Sequence, residues 1–369
     1  MKDFKYWNNL HQSEKLEEFS NDSIGLLWLK TKSIIRSPLI KRFCKDNSIT
    51  LVAKKQDGKF LELFNLFSKD PKKFNVILDA FSHKENILQL KSLNIKTLTS
   101  ELYKLKNFDW GGDYQNSLDK FLVKRYVKVQ NPSYDILISK FENEIKIAVQ
   151  GYVLNSWYNH WSSILIEHIF KSHPSVLPTI GQIKSVDFII NDIPFDLKVT
   201  YLPAEYIKSK RKNKKLPVEL TFLKRKAKEA KITFDKKAKP TDIFYEIVEK
   251  MKDRNDEFCN SVLTTLKNEK LEILKEVQDN PKMLATWLYE NQGEMRFGSE
   301  NRLFLVLVDT DDFNSSWKLK RNLDLLKPTI LSYLDNFKNK KIADLKVMFN
   351  FKGKLQTFSA LTDIIFVVK

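Results

Sequence analysis

The chain has 369 residues, which predicts two or three domains or one large elaborated domain. Its composition, 42% hydrophobic and 12% aromatic, predicts a packed core and excludes a globally disordered protein. No apolar run approaches the roughly 20 residues that span a bilayer, and the N-terminus lacks the apolar stretch of a signal peptide. The two cysteines form no disulfide framework. We therefore expect a cytoplasmic protein without a membrane segment. The formal net charge of +17 favours polyanionic partners through counterion release.

The N-terminal third predicts helices. Residues 1 to about 130 carry apolar side chains at helical spacing, for example over Ser23–Ile34 and Ser117–Val127. Turns are expected at Lys69–Lys72 and Asp109–Asp113. This region is therefore expected to be largely helical, and nothing in it indicates chemistry.

The middle of the chain predicts strands around one helix. Two strands, Tyr134–Ile138 and Glu144–Val149, are expected around a polar turn, and a helix follows at about 156–172. Two short apolar runs within residues 183–200, on either side of the turn-like Asn191–Pro194, are typical of a β-hairpin.

The C-terminal part alternates between helices and strands. Helices are expected at about 241–268, 271–279, 282–291, 317–326 and 329–336, with strands at 302–309, 344–352 and 362–368. Strands interspersed with helices predict an α/β or α+β core.

The hairpin carries the residues with the clearest chemical potential. Asp187 begins its first apolar run, and Asp196 and Lys198 lie two residues apart in the second. Because side chains alternate between the faces of a strand, Asp196 and Lys198 should project to the same side. Two carboxylates and an ammonium group at one end of a sheet suit a hard divalent cation and the activation of a water molecule.

This pattern resembles the active site of the PD-(D/E)xK nuclease superfamily, and most of all that of type II restriction endonucleases. The resemblance covers roughly residues 151–205 and implies a restriction-endonuclease-like mixed central sheet flanked by helices. It implies that Asp187 and Asp196 ligate a metal and that Lys198 orients or activates the attacking water. The proline that usually precedes the first acid is absent here.

The resemblance also implies an accessory acid on the helix before the hairpin, and Glu167 lies in the matching place. The alternative for Glu167 is an ordinary ion pair with Lys171, four residues later on the same helix. Since no cysteine cage or paired-histidine motif suggests zinc, the expected metal is oxygen-liganded Mg²⁺, with Mn²⁺ as a substitute.

A second set of residues repeats the spacing. Asp135, Glu144 and Lys146 have the same nine-residue separation between their acids as Asp187 and Asp196. They lie in a polar stretch typical of an exposed hairpin, whereas the charges of the other set are embedded among apolar residues, where they are costly unless paired or metal-bound. We therefore favour the Asp187 set.

The basic segment Tyr206–Pro240 follows the hairpin directly. It holds fourteen Lys or Arg residues against three acids, a net charge of +11. It is either a phosphate clamp or a solvated lysine-rich segment. The candidates for DNA contact are Lys208, Lys210, Arg211, Lys212, Lys214 and Lys215. The loop Gln292–Ser299 is expected to be a turn, with contact to DNA through Arg296 or Arg302 as the alternative.

These observations give a functional hypothesis with two alternatives. The hypothesis is a metal-dependent endonuclease of a restriction system that cuts double-stranded DNA, as a homodimer if it cuts both strands. Residues 131–312 would form the nuclease core with the basic insertion 206–240, residues 313–369 would complete it, and residues 1–130 would serve DNA recognition or dimerisation. One alternative is a non-catalytic basic DNA-binding protein. The other is a repair or phage-defence nuclease of the same fold, acting on another nucleic acid.

Overall fold

A computed structural model describes residues 2–107, 118–129, 133–291, 299–350 and 356–369. The fold is α+β, with helices around a six-stranded mixed sheet. The predicted turn at Asp109–Asp113 and nearly all of the predicted turn at Gln292–Ser299 lie outside the described residues. Within the described residues, no helix is long and apolar enough to cross a membrane.

The N-terminal region is helical, as predicted. Its helices are α1 (Phe4–Gln12), α2 (Ser23–Ile34), α3 (Ser37–Asp46), α4 (Gln56–Phe67), α5 (Pro71–Ser92) and α6 (Ile95–Leu102). The Asp22 carboxylate caps α2 by accepting from the N–H groups of Ile24 and Gly25. A Cβ atom on Gly25 would lie 2.7 Å from the Trp7 ring, so only glycine lets α1 pack this closely on α2.

The prediction of two strands at Tyr134–Ile138 and Glu144–Val149 is wrong, because both ranges are helical. The elements here are α7 (Leu118–Leu122), a π-helical turn (Val123–Val127), α8 (Tyr134–Lys140), a second π-helical turn (Phe141–Ile145) and α9 (Lys146–Lys171). Isoleucines at alternate positions imitate a strand. A strand, however, needs a neighbour for its backbone hydrogen bonds, whereas a helix satisfies them locally.

The sheet contains the predicted hairpin and one strand that was not predicted. Its strands are β1 (Val176–Ile183), β2 (Val186–Ile190), β3 (Ile193–Tyr201), β4 (Arg302–Val308), β5 (Lys346–Asn350) and β6 (Thr357–Val368), in the order β1-β2-β3-β4-β6-β5. Strands β3, β4 and β6 are parallel, and the other neighbours are antiparallel. Asn191 and Asp192 form the β2–β3 turn with positive φ, which Asn and Asp tolerate well.

The helices after the hairpin differ in detail from the prediction. They are α10 (Ala204–Asn213), α11 (Glu219–Glu229), α12 (Pro240–Arg254), α13 (Glu257–Asp279), α14 (Pro281–Asn291), a 3₁₀ segment (Phe313–Arg321), α15 (Leu323–Phe337) and α16 (Ile342–Leu345). The expected helix 241–268 is interrupted at Asn255, which caps α12 in the left-handed conformation. The basic segment forms α10 and α11.

Helices cover both faces of the sheet. On one face Phe195 and Leu305 pack against α9 and α15, and on the other Phe304 and Val306 pack against α13 and α14. The N-terminal helices share a core with the outer strand, where Ile180 of β1 lies among their side chains. Because β3 and β4 are central, side chains at their ends are held by a rigid frame.

Candidate functional site

The candidate site lies where β2 and β3 separate. Phe188 pairs with Phe195, and this register continued by one residue sets Asp187 opposite Asp196. There β3 has turned to its other neighbour, and the Asp196 N–H donates to the Asn301 carbonyl at 2.9 Å. The Leu197 N–H donates instead to the Asp187 carboxylate at 2.7 Å. The Asp187 carboxylate thus takes the place of a neighbouring strand's carbonyl as the acceptor for the Leu197 N–H, and this hydrogen bond fixes Asp187 beside Asp196.

Asp196 and Lys198 form an ion pair on one face of β3. The Lys198 Nζ lies 2.9 Å from Asp196 Oδ2, which agrees with the prediction that both side chains project to the same side. Asp196 is buried, whereas the Lys198 side chain is 41% exposed. A buried carboxylate next to a half-exposed ammonium group places one fixed charge and one accessible charge at the same point.

Arg302 supplies a second cation from the first residue of β4. It pairs with Asp196 in the parallel register, and its Nε lies 3.8 Å from Asp196 Oδ2. Its Nη2 lies 3.2 Å from the Glu300 carboxylate, and its guanidinium group stacks 5.0 Å from the Tyr289 ring centre. Arg302 and Glu300 are each only 2% exposed. Burial raises the pKa of Glu300, while Arg302 acts in the opposite direction.

Sequence reasoning missed this buried cluster. The sequence predicts for Arg302 only a possible contact with DNA, and it predicts no role for Glu300. The only signal was a charged residue directly before a continuous apolar strand, where a charge needs a partner. Its partner, Asp196, is distant in sequence and is brought to it only by the parallel pairing of β3 and β4.

Glu167 lies on α9 and forms the ion pair that was the alternative to a role in the site. The Lys171 Nζ lies 2.8 Å from Glu167 Oε2. Both charges nevertheless act on Asp187, with Glu167 raising and Lys171 lowering the pKa of the Asp187 carboxyl. The last turns of α9 are therefore close enough to the hairpin to influence its electrostatics.

The ionisation of Asp187 is strongly perturbed. Burial, followed by the negative charges of Asp196 and Glu167, raises the pKa of Asp187 to about 6, against the lowering effect of the Leu197 N–H. A carboxyl whose pKa is raised by burial and by neighbouring carboxylates is a candidate for a functional role, such as binding a cation.

The donor set fits a hard divalent cation in its chemistry. Within the described residues, no three Asp, Glu, His or Cys side chains are grouped closely enough to hold a metal ion. Mg²⁺ does not require such a cage, because it commonly binds one or two carboxylates and completes its coordination with waters and substrate phosphates. Asp187 and Asp196 offer that smaller set, and Glu167 is engaged by Lys171.

The raised pKa gives a stability prediction for Asp187→Asn. The unfolded carboxyl ionises near pH 3.8 and the folded one near pH 6, so wild-type stability falls as pH rises between these values. About two pKa units correspond to about 3 kcal/mol. Asparagine cannot ionise and still accepts from Leu197. We expect the variant to be more stable than wild type by up to about 3 kcal/mol at pH 8, with little difference at pH 4.

Urea unfolding at both pH values would measure the effect of Asp187→Asn. Asp324→Asn is the matched control, because it makes the same substitution at an exposed residue of α15. Equal stabilities of wild type and Asp187→Asn at pH 8 would contradict the prediction.

The six basic residues expected to contact DNA divide into two groups. Lys208, Lys212, Lys214 and Lys215 are exposed. Arg211 is only 2% exposed and is paired with Glu269 of α13, so we leave it out of any nucleic-acid surface. Lys210 and Lys214 are also paired with α13, through Glu276 at 2.5 Å and Glu272 at 3.2 Å.

The second acid–acid–lysine set does not form a hairpin. Asp135 lies on α8, Glu144 in the second π-helical turn and Lys146 at the start of α9. Nine residues of helix separate the two acids by about 13 Å along the axis. The structure brings Asp187, Asp196 and Lys198 together where β2 and β3 separate and does not do so for this set.

Comparisons with protein-family models, with curated proteins and with solved structures find no significant match to this chain.

Proposed function

We propose that the protein is a Mg²⁺-dependent endodeoxyribonuclease of PD-(D/E)xK type, most like a type II restriction endonuclease. The supporting observation is the meeting of the Asp187 carboxylate with the Asp196–Lys198 ion pair where β2 and β3 separate. Helix α9, with Glu167 near its end, precedes this hairpin in the order that the resemblance implies. The mixed sheet with helices on both faces is compatible with the restriction-endonuclease-like architecture.

The chemistry divides among three side chains. Asp187 and Asp196 would hold Mg²⁺, which when bound supplies charge neutralisation and a water of lowered pKa. Lys198 places a cation beside the scissile phosphate, where it offsets the charge that develops during cleavage. Its half-exposed ammonium group, paired with Asp196 in this structure, would turn toward a phosphate or a water during cleavage. The Arg302 guanidinium group, with its Nε 3.8 Å from Asp196 Oδ2, adds a second cation beside that carboxylate.

Asp187 sets the pH dependence of this activity. Its carboxyl must lose a proton to bind a cation well, and its pKa is about 6 in the absence of metal. Cleavage at limiting Mg²⁺ should therefore rise with pH through about 6, and the midpoint should move to lower pH as the Mg²⁺ concentration is raised.

The substrate follows from the charge. The chain carries +17, and α10 begins three residues after β3 ends, with Lys208, Lys212 and Lys215 exposed along and just after it. Exposed lysines that follow the candidate site this soon in the sequence suit contacts to the phosphate backbone, which position a nucleic acid without reading its sequence.

The direct test is incubation of a long double-stranded DNA of mixed sequence with the full chain, in Mg²⁺, in Mn²⁺ and in EDTA. We expect cleavage with either metal and none in EDTA. Discrete fragments would support restriction, and a smear would replace it with non-specific or structure-specific cleavage. Absence of cleavage of both DNA and RNA, together with salt-sensitive binding that is indifferent to Mg²⁺, would replace the nuclease with a basic binding protein.

The exposed lysines give a prediction for binding. The triple variant Lys208→Ala, Lys212→Ala, Lys215→Ala should lower the slope of log K against log salt concentration by about 2.7, since each lost phosphate contact removes about 0.9. Fluorescence anisotropy with labelled duplex DNA measures this slope. The control removes the same charge from exposed Lys327, Lys338 and Lys341 of the C-terminal region. If both triple variants change the slope equally, α10 is not the contact surface.

A further inference from the structure

A pocket lies between the first turns of α9 and the segment that contains α7. Its volume is about 570 Å³, within the roughly 300–1,000 Å³ that is typical of small-molecule sites. One wall is a stripe of α9 that holds Ile147, Gly151 and Leu154, spaced by three or four residues. The opposite wall includes Phe121 of α7 and Tyr126 of the π-helical turn that follows it. None of the described lining residues belongs to the proposed nuclease site.

Carboxamide side chains supply much of the polar lining. The described lining residues include four of them, Asn107, Asn143, Gln150 and Asn155. The first three are exposed, whereas Asn155 is only 1% exposed and therefore lies at the floor of the pocket. A carboxamide presents a hydrogen-bond donor and an acceptor side by side, which is the arrangement that pairs with the edge of a nucleobase. The polar groups of this pocket thus suit a base edge better than a purely apolar ligand.

Two aromatic rings give the pocket a surface for stacking. The ring centres of Phe121 and Tyr126 lie 6.2 Å apart, and the ring planes are inclined by 79°. Tyr126 is 8% exposed, so its ring is held in place by its surroundings. Because the two rings are nearly perpendicular, a flat ligand that stacks on one of them meets the edge of the other. Stacking of this kind accepts any nucleobase, since every base has a π-face.

The charges of the lining favour an anionic group on the ligand. Among the described lining residues are two cations, Arg125 and Lys239, and one acid, Glu144. Arg125 and Lys239 are both exposed, so they can contact a ligand at the mouth of the pocket. A guanidinium group forms paired, charge-assisted hydrogen bonds with a phosphate. The lining thus combines groups for a base with groups for a phosphate.

A buried lysine adds positive charge beyond the floor of the pocket. Asn159 follows Asn155 by one turn of α9, about 6 Å along the helix axis, and its side-chain oxygen accepts from the Lys320 Nζ at 2.9 Å. Lys320 is 6% exposed, and no carboxylate of the described residues forms an ion pair with it. Burial lowers the pKa of its ammonium group to about 8, so the group is mainly charged at neutral pH. A buried cation without a counter-ion attracts an anion to its vicinity.

We propose that this pocket binds one nucleotide unit, with the base stacked against Phe121 and Tyr126, the base edge on the carboxamides, and the phosphate at Arg125 and Lys239. The unit is either a free nucleotide or an unpaired nucleotide of a bound strand, because both present the same base and phosphate. The proposal goes beyond the nuclease activity and does not depend on it.

Isothermal titration calorimetry of the full chain in EDTA tests the ligand class. The probes are the four ribonucleoside and the four deoxyribonucleoside 5′-monophosphates. We expect at least one of them to bind at one site per chain with a Kd below about 1 mM. Ribose 5-phosphate, which lacks the base, and the corresponding nucleoside, which lacks the phosphate, should each bind about tenfold more weakly or worse. Equal binding of ribose 5-phosphate would contradict a role for the base.

Three variants locate the binding in the pocket. Gly151→Leu should abolish it, because the new side chain occupies the stripe that lines the pocket, while leucine favours a helix more than glycine does. Arg125→Gln should weaken it about tenfold by removing a charge-assisted contact. Lys124→Gln is the matched control, since Lys124 is the adjacent exposed cation but does not line the pocket, and it should bind as wild type does. Circular dichroism verifies that each variant folds.

Fluorescence anisotropy in EDTA distinguishes the two sources of the nucleotide. It compares labelled DNA duplexes that carry one bulged nucleotide, of each base in turn, with the fully paired duplex. A preference of about tenfold or more for a bulged duplex, lost in Gly151→Leu, would identify an unpaired nucleotide of the strand. Binding of mononucleotides without this preference would identify a free nucleotide. If neither is seen, or if Gly151→Leu retains what wild type shows, the proposal is overturned. Both measurements exclude metal, so a failure to cleave DNA would not bear on them.

Discussion

Replacing Asp196 by asparagine should lower Mg²⁺-dependent DNA cleavage by about 10³-fold, while DNA binding in the absence of metal stays close to that of wild type. The amide keeps the size of the side chain but removes one of the two carboxylates offered to a cation. It also ends the 2.9 Å ion pair that positions Lys198. Initial cleavage rates and fluorescence anisotropy, on the same DNA, separate the effect on chemistry from the effect on binding.

Lys198→Ala should lower the rate of cleavage by a similar factor, about 10²- to 10³-fold, because it would remove the cation that the proposed mechanism sets beside the scissile phosphate. Lys198→Arg retains the charge and should recover part of the activity. The matched controls are Asp135→Asn and Lys146→Ala, which make the same substitutions in the second acid–acid–lysine set. If the controls abolish cleavage and the Asp196 and Lys198 variants do not, the site has been assigned to the wrong residues.

Removing the buried cation at the start of β4 should have the largest effect on stability. Arg302→Met leaves the carboxylates of Asp196 and Glu300 without the guanidinium group that lies 3.8 Å and 3.2 Å from them. Loss of one partner from a buried ion pair typically costs 3–5 kcal/mol, because the remaining charge is uncompensated, and we expect about that loss for Arg302→Met. Urea unfolding at pH 7, followed by circular dichroism, measures the loss.

A second variant tests whether Arg302→Met loses stability through uncompensated charge or through altered packing. Adding Glu300→Gln to Arg302→Met removes one uncompensated charge, so the double variant should regain at least about 1 kcal/mol relative to Arg302→Met. Lys252→Met is the control on the surface, since both members of its ion pair with Glu249 are exposed, and it should change stability by less than about 1 kcal/mol. An Arg302→Met variant as stable as this control would show that the buried cluster contributes little.

The sequence carries enough local information to predict the hairpin and the fourth strand. Two apolar runs on either side of a turn-forming Asn191–Asp192 pair specify β2 and β3, and the continuous apolar run of β4 is typical of a strand buried on both faces. Asp187, Asp196 and Lys198 could be placed together because the alternation of side chains along these strands is a local rule.

Other features depend on contacts that a local pattern does not contain. Residues 134–149 alternate in the manner of a strand, yet none of the strands in the described part of the chain pairs with them, and they fold as helices. β1 was missed because the pattern before the hairpin is irregular, and its pairing with β2 shifts register between Pro178 and Ile183. The roles of Arg302 and Glu300 arise from long-range pairing, which one sequence does not reveal. Metal binding and DNA cleavage stay predictions.

The parallel pairing of β3 with β4 has a consequence for the order of events at the ribosome. The acids and lysine of the candidate site are complete once residue 198 has been synthesised, but the strand that fixes Asp196 begins at Arg302, roughly 100 residues later. Closing so long a loop is slow compared with forming a hairpin. The nascent chain therefore exposes its basic helices to nucleic acid well before the site is assembled, and competence to cut would come only after the sheet has closed.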